Sequence, residues 1–281
     1  MSTLTTHEPA RGVLRSRPGR TLTALAARDV LLLRRDVSTF VTRTVMQPLL
    51  FVFVFAYVLP TIEGGRSVFS AAGTSFATIL VPGLLGTAMI LSGIMAVTMP
   101  LIFELSYNRE IEDRLLAPMR VELLALEKIL WGAAQALLAA LIVFPAVYFV
   151  HAPGQAPQVH VAGWPMFVTV FVFTGLLSSS VGLYLGTLVD VRKINMMFAM
   201  ITVPVTMLGC VYYPWESLAP IPWLQYAVLV NPLVYASEGL RASLTPALPH
   251  MPPYVFLTVL VGGSVLFGLL AVRSFTRRVL A

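Results

Sequence analysis

Six apolar runs divide the chain, with polar and charged residues gathered between them. They extend from about Thr44 to Pro60, Phe76 to Phe103, Ile129 to Val150, Pro165 to Val189, Ile194 to Tyr212 and Tyr254 to Val272. A bilayer core of ~30 Å needs ~20 apolar residues in a helix, and each run comes close to that length. The runs are continuous rather than alternating, which predicts helices and argues against a membrane β-barrel. Pro48, Pro82, Pro145 and Pro204 lie inside them. Such prolines are acceptable in lipid-embedded helices and ill suited to a soluble bundle. Ahead of the first run, Leu22, Ala26, Val30, Leu33, Val37 and Phe40 recur every three or four residues, with Arg20, Arg28, Arg34 and Arg35 mostly elsewhere around the helix. That pattern predicts an amphipathic helix over Arg20 to Val41 lying in the headgroup region, or else a plain lead-in to the first span.

Composition strengthens the membrane reading. Of 281 residues, 57% are hydrophobic and 11% charged, and the mean hydropathy is +0.83. An average soluble domain carries ~25% charged residues. A soluble enzyme, a disordered chain and a DNA-binding domain are all disfavoured. Residues Met1 to Gly19 are polar and lack the apolar run of a secretory signal, so they are expected to form a cytoplasmic tail. Residues 20–272 then make one transmembrane domain, and 273–281 a second tail.

The net charge of +6 gains its meaning from its distribution. Arg11, Arg15, Arg17, Arg20, Arg28, Arg34, Arg35 and Arg43 precede the first span. Arg109, Arg114, Arg120 and Lys128 fall between the second and third, Arg192 and Lys193 between the fourth and fifth, and Arg273, Arg277 and Arg278 after the sixth. Only Arg66 and Arg241 fall on the other side. The positive-inside rule then places both termini in the cytoplasm, and no nucleic acid is needed to explain the basic balance. Cys210 is the single cysteine, which excludes an intrachain disulfide and a multi-thiolate metal site.

Three segments stand out from the spans. Between the second and third runs, Glu104, Arg109, Glu110, Glu112, Asp113 and Arg114 precede Pro118. Arg109 with Asp113 and Glu110 with Arg114 are i,i+4 pairs on a short helix, which Pro118 would end. This is either a solvated turn or a docking element for a cytoplasmic partner. After the fifth run, Tyr213, Pro214, Trp215, Trp223, Asn231, Pro232, Glu238 and Arg241 mark a long connection too apolar for a free loop. It suits short helices dipping into the outer interface, serving either as an aromatic belt or as a lid over a translocation path. In the fourth run, Ser178, Gly182 and Gly186 recur every four residues, a small-residue face for close helix packing. Strongly ionisable residues are nearly absent from the runs, against a proton-coupled relay. Met196, Met197, Met200 and Met207 suit ordinary packing or an adaptable apolar surface. Lys128 and Lys193 are the only lysines and lie in no phosphate-binding loop. There is no zinc-hydrolase motif and no serine elbow, so no metal site is expected.

Taken together, the amphipathic N-terminal segment, the six runs, Arg109-Glu110-Ile111-Glu112-Asp113-Arg114-Leu115-Leu116-Ala117-Pro118, and Pro214…Pro222…Asn231-Pro232-Leu233…Glu238-Gly239-Leu240-Arg241 resemble the ABC-2-type permease family. The chain is most similar to drug-resistance permeases of the daunorubicin type and their nodulation-export relatives, over roughly Leu22 to Val272. Leu115, Leu116 and Pro118 match the family's cytoplasmic pattern, while Ile111-Glu112-Asp113 stands where Gly-Thr is usual. The resemblance implies an all-α polytopic membrane protein: six transmembrane helices, an N-terminal interfacial helix, a cytoplasmic coupling helix and short external re-entrant helices. It implies a plasma-membrane exporter subunit, from a bacterium, paired with a second permease subunit and surrounded by membrane lipid. Separate cytoplasmic ATP-binding-cassette ATPase subunits would bind ATP and Mg, with no cofactor on this chain. Glu104, Arg109, Glu110, Glu112, Asp113, Arg114 and Pro118 would couple to the ATPase, and the aromatic connection through Arg241 would gate the outer side. Drugs, antibiotics or lipids are the expected cargo, with lipid-linked polysaccharide as the alternative. Readings of another class are an ion-driven carrier or a non-transporting scaffold.

Overall fold

A computed structural model describes residues 28–31, 33–35, 37–62, 75–104, 121–189 and 193–280. Within them every regular element is helical. The elements are α1 (Val37–Ile62), α2 (Phe76–Phe103), α3 (Val121–Phe149), α4 (Trp164–Leu188), α5 (Ile194–Met207), α6 (Pro222–Ala227), α7 (Pro232–Leu244) and α8 (Pro253–Leu280). Five of them, α1 to α4 and α8, are long and apolar enough to cross a membrane. The chain is therefore a multi-pass membrane protein.

The expected fifth span differs from its sequence reading. Helix α5 has 14 residues and stops at Met207, although the apolar run continues to Tyr212. At 1.5 Å per residue it covers about 21 Å. Beyond it Gly209, Cys210 and Val211 are buried in non-helical backbone. Irregular backbone set among apolar helices needs protein around it, and here α2 supplies the cover. A Cβ on Gly83 would stand 2.3 Å from the Val211 carbonyl oxygen, so the missing side chain lets the strand of backbone lie directly on the helix. Cys210 adopts a left-handed φ of 51° at this turn, uncommon for a non-glycine residue.

Helix α2 is the axis of the fold. It is apolar on all sides and buried along nearly its whole length, as expected of a helix surrounded by others. Helix α4 packs on it through its small residues. A Cβ on Gly182 would lie 2.7 Å from the Ile94 carbonyl oxygen, and Gly93 of α2 leaves room for Ser178. At Gly186 the neighbours are Leu101 and Thr98. Thr98 Oγ1 donates to the Gly182 carbonyl at 2.8 Å, a hydrogen bond that the close approach permits.

The end of the bundle where α1 begins and α8 finishes is termed the lower end. There Val97, Leu101, Leu124, Ile129, Leu183, Ala271 and Phe275 form a separate apolar cluster. Phe275 is fully buried, and of the segment 273–281 expected as a tail the described residues 273–280 form the last turns of α8. Thr187 and Ser274 hydroxyls bond at 2.6 Å and tie α4 to α8. At the upper end of α1, a π-helical stretch spans Phe53–Val58. The Ala56 carbonyl within it accepts from the Ala152 N–H at 2.9 Å, joining α1 to the α3–α4 connection.

Candidate functional site

The connection from Leu208 to Thr245 builds a cap on the upper end. Asn231 starts α7 by capping: its Oδ1 accepts from the Leu233 N–H at 3.0 Å, and Pro232 occupies the first turn. Both are preferred at helix starts, the amide oxygen because it satisfies an orphan N–H and proline because it has none to lose. The other end of the same amide donates to the Val205 carbonyl at 2.8 Å, which fixes α7 against α5. Helix α7 then runs buried between α2, α4 and α8. Gly86 brings α2 against Ser237, and Gly239 sits against Val170 and Phe256.

Glu238 and Arg241 lie one turn apart on α7, and both side chains are fully buried. Arg241 Nη1 donates to Glu238 Oε1, forming a salt bridge. The same oxygen accepts from the Trp215 N–H at 2.9 Å, and Oε2 accepts from the Met251 N–H at 2.8 Å. Arg241 Nη2 donates to the Cys210 carbonyl at 3.0 Å. One ion pair thus holds four segments: the end of α5, the turn before α6, α7 itself and the entry to α8. Burying two charges is costly, and extra hydrogen bonds to each are what make the arrangement tolerable. The sequence reading grouped these two residues with the aromatic positions of an outer gate, and their burial inside the cap was not foreseen. The spacing of three on one helix was the available signal.

The remaining cap residues divide by exposure. Trp215 is half-buried and its Nε1 donates to the Gln225 carbonyl at 3.0 Å. Pro214 is buried, whereas Trp223 is 72% exposed. Tyr213 donates to the Met207 carbonyl at 3.4 Å and Tyr235 to the Leu229 carbonyl at 2.8 Å. Burial raises both phenols above their ordinary value, with Cys210 adding to the effect at Tyr213. Because Cys210 is the only cysteine and is fully buried, the folded chain should resist alkylation. Maleimide labelling in lipid nanodiscs is expected to be at least about a hundredfold slower than after unfolding in dodecyl sulfate, since exposing a core position requires opening. Equal rates would mean the cap is open.

At the lower end, Glu104 follows α2 and Lys128 lies on α3. Their ion pair measures 2.7 Å, with both side chains largely buried. Arg28, Asp29, Glu127, Trp131 and Gln135 line a cavity of 180 Å³ beside it. Helix α3 begins at Val121, eight residues before the expected span, so Glu127 and Lys128 are helical rather than part of a loop. Of the proposed coupling residues, Arg109, Glu110, Glu112, Asp113, Arg114 and Pro118 lie outside the described residues, as does residue range 20–27 of the amphipathic segment. Among the described residues no cluster of His, Cys, Asp and Glu is arranged to hold a metal ion.

Comparison with known proteins agrees with this architecture. The chain is 26% identical over 200 residues to the inner membrane transport permease YadH of Escherichia coli (strain K12), covering 71% of this chain and 74% of that protein. The Shigella flexneri permease of the same name matches to the same extent. The family model for the ABC-2 type transporter matches residues 20–245, which takes in α1 through α7 and the whole upper cap. The chain belongs to the ABC-2 type transporter family.

Proposed function

We propose that the chain is the permease subunit of an ATP-driven exporter in the cytoplasmic membrane, moving a hydrophobic compound such as a drug, an antibiotic or a lipid outward. The family match over residues 20–245 carries this reading, and the name of the YadH relatives, inner membrane transport permease, points the same way. In this proposal both termini are cytoplasmic. Helix α5 with its buried extension through Tyr212 acts as the sixth span. A second permease subunit completes the path.

The charged connection between α2 and α3 acts as the coupling helix. It is joined directly to α2, the most deeply buried of the span-length helices. The Glu104–Lys128 bridge ties the end of α2 to α3 about two turns past its start. Closure of a partner ATPase, driven by ATP and Mg, would push this connection and shift α2 as a rigid rod. Because α7 and the Val211 backbone rest on α2, the same shift would reach the upper cap, which serves as the outer gate. Docking drives export only if the ATPase favours one of the two arrangements over the other.

The test is reconstitution. The chain, co-expressed with a candidate ATP-binding-cassette ATPase from the same genome, is purified into nanodiscs and assayed for ATP hydrolysis. Co-purification and hydrolysis are expected for the wild type. A Glu110→Ala, Glu112→Ala variant, with insertion verified separately, should dock roughly tenfold more weakly or worse, because each lost carboxylate removes a charge-assisted contact. A well-folded permease that retains no ATPase would sink the assignment and favour an ion-driven carrier or a scaffold.

A further inference from the structure

A second cavity, of 110 Å³, opens between α1, α2 and α5. Arg43, Thr44, Gln47, Thr87, Ser92 and Thr202 supply its polar lining, and among the described residues no carboxylate lines it. Thr44 is only 7% exposed, and its hydroxyl has no hydrogen-bond partner. A helical threonine's hydroxyl commonly bonds back one turn; those of Thr174 and Thr276 are also unpaired, but Thr44 is the one of the three that lines this cavity. Thr87 of the same cavity bonds back in this way, donating to the Gly83 carbonyl at 2.9 Å, and Thr206 of α5 does so to Thr202 at 2.8 Å. An unpaired buried hydroxyl weakens folding, so Thr44 is explained by a group that enters the cavity and accepts from it.

The lining decides which group. Among the described residues, Arg43 is the single charged one around the cavity. An amine head would meet a like charge, with no carboxylate among the described lining residues to balance it. An alkyl group would leave the Thr44 hydroxyl as unpaired as before. A carboxylate or phosphate would accept from the hydroxyl and neutralise Arg43 at once, and such charge-assisted bonds are the strong ones. Size limits the ligand further. The space exceeds the ~10–15 Å³ that one water needs but falls well short of the ~300 Å³ of a pocket for a whole drug-sized molecule. It takes a head and not a tail. Met46 and Leu50, 51% and 56% exposed, continue the Arg43–Gln47 side of α1 into the apolar layer at helical spacing, where a tail can lie in lipid.

We propose that this cavity seats the oxyanion head of an amphiphile, a carboxylate or phosphate on an apolar tail, with Thr44 donating to it and Arg43 balancing its charge. The inference deepens the exporter reading by naming its cargo class, and rests on that reading only for the direction of movement. The test needs no ATPase, so its failure is separable from failure of the reconstitution above. Saturable binding of labelled dodecanoate and of dodecylamine is measured on the permease in phosphatidylcholine nanodiscs, with empty discs as reference. Saturable binding of dodecanoate, and none of dodecylamine, is the expected result. Thr44→Val keeps the shape and removes the donor; it should weaken dodecanoate binding about tenfold while the unliganded protein melts at the same temperature or higher. Thr44→Ser should restore binding, and Arg43→Gln should weaken it as much as Thr44→Val. Phosphatidylglycerol added to the discs displaces dodecanoate if the natural occupant is a membrane phospholipid and fails to do so if it is a free amphiphile. Dodecanoate binding no greater than in empty discs, equal binding by Thr44→Val, or preference for dodecylamine would each overturn the proposal.

Discussion

Glu238→Ala is expected to destabilise the folded permease by about 3–5 kcal/mol, the cost of leaving one partner of a buried ion pair uncompensated. Three losses coincide at this position. Arg241 keeps its charge at zero exposure with its carboxylate gone. The Trp215 and Met251 N–H groups lose their acceptor. Alanine also leaves a space that α7, packed on three helices, cannot easily fill. Thermal unfolding in nanodiscs, followed by size-exclusion fluorescence, gives the measurement. Replacing both charged residues together, as Glu238→Leu with Arg241→Met, should recover part of the loss, because an apolar pair of similar volume is often as stable as a buried salt bridge. A single substitution that leaves the melting curve unchanged would show that the ion pair does not hold the cap.

The second large effect is expected at Gly182. An added Cβ would stand 2.7 Å from the Ile94 carbonyl oxygen and 2.8 Å from its Cα. Both are backbone atoms, so no side-chain rotation relieves the overlap and α4 must move away from α2. Overpacking of this kind costs typically ~1–3 kcal/mol, and here it would also stretch the Thr98–Gly182 hydrogen bond. Gly182→Ala should therefore melt well below the wild type. Gly262→Ala is the matched control: its Cβ would meet nothing within 4 Å, and alanine is the better helix former by ~1 kcal/mol. Equal behaviour of the two variants would remove the argument that α4 depends on contact with α2 at this glycine.

How far the sequence revealed this structure depended on the kind of signal available. Helix α2 occupies the run Phe76 to Phe103, because nothing inside it is charged and its limits are chemically abrupt. Helices α3 and α8 were read short for the same reason in reverse. Glu127 with Lys128 and Arg273 with Arg277 looked like span ends. A helix extends past its charges when they find partners, as Lys128 does in Glu104, or when later residues are needed in the core, as Phe275 is. The premature end of α5 was not legible. Hydropathy reports burial and not backbone form, and Gly209 to Val211 are buried without being helical. In the cap, the Asn231-Pro232 start of α7 follows from local chemistry. The joining of Glu238 to Trp215 and Met251 does not, since it depends on segments 23 and 13 residues away. The unpartnered hydroxyl of Thr44 left no trace in the sequence, because a threonine that bonds to its own helix reads identically.

The π-helical stretch in α1 has a consequence for comparing this chain with its relatives. An i→i+5 turn is an α-turn with one residue too many, so α1 carries a surplus residue somewhere in Phe53–Val58. A homologue lacking one residue there can be a regular α-helix with the same start and the same end. Gaps inside a transmembrane helix are ordinarily treated as alignment mistakes. At this place a single gap would be a real difference in length. Closing it by force would turn every later residue of α1, from Leu59 to Ile62, onto the wrong side of the helix.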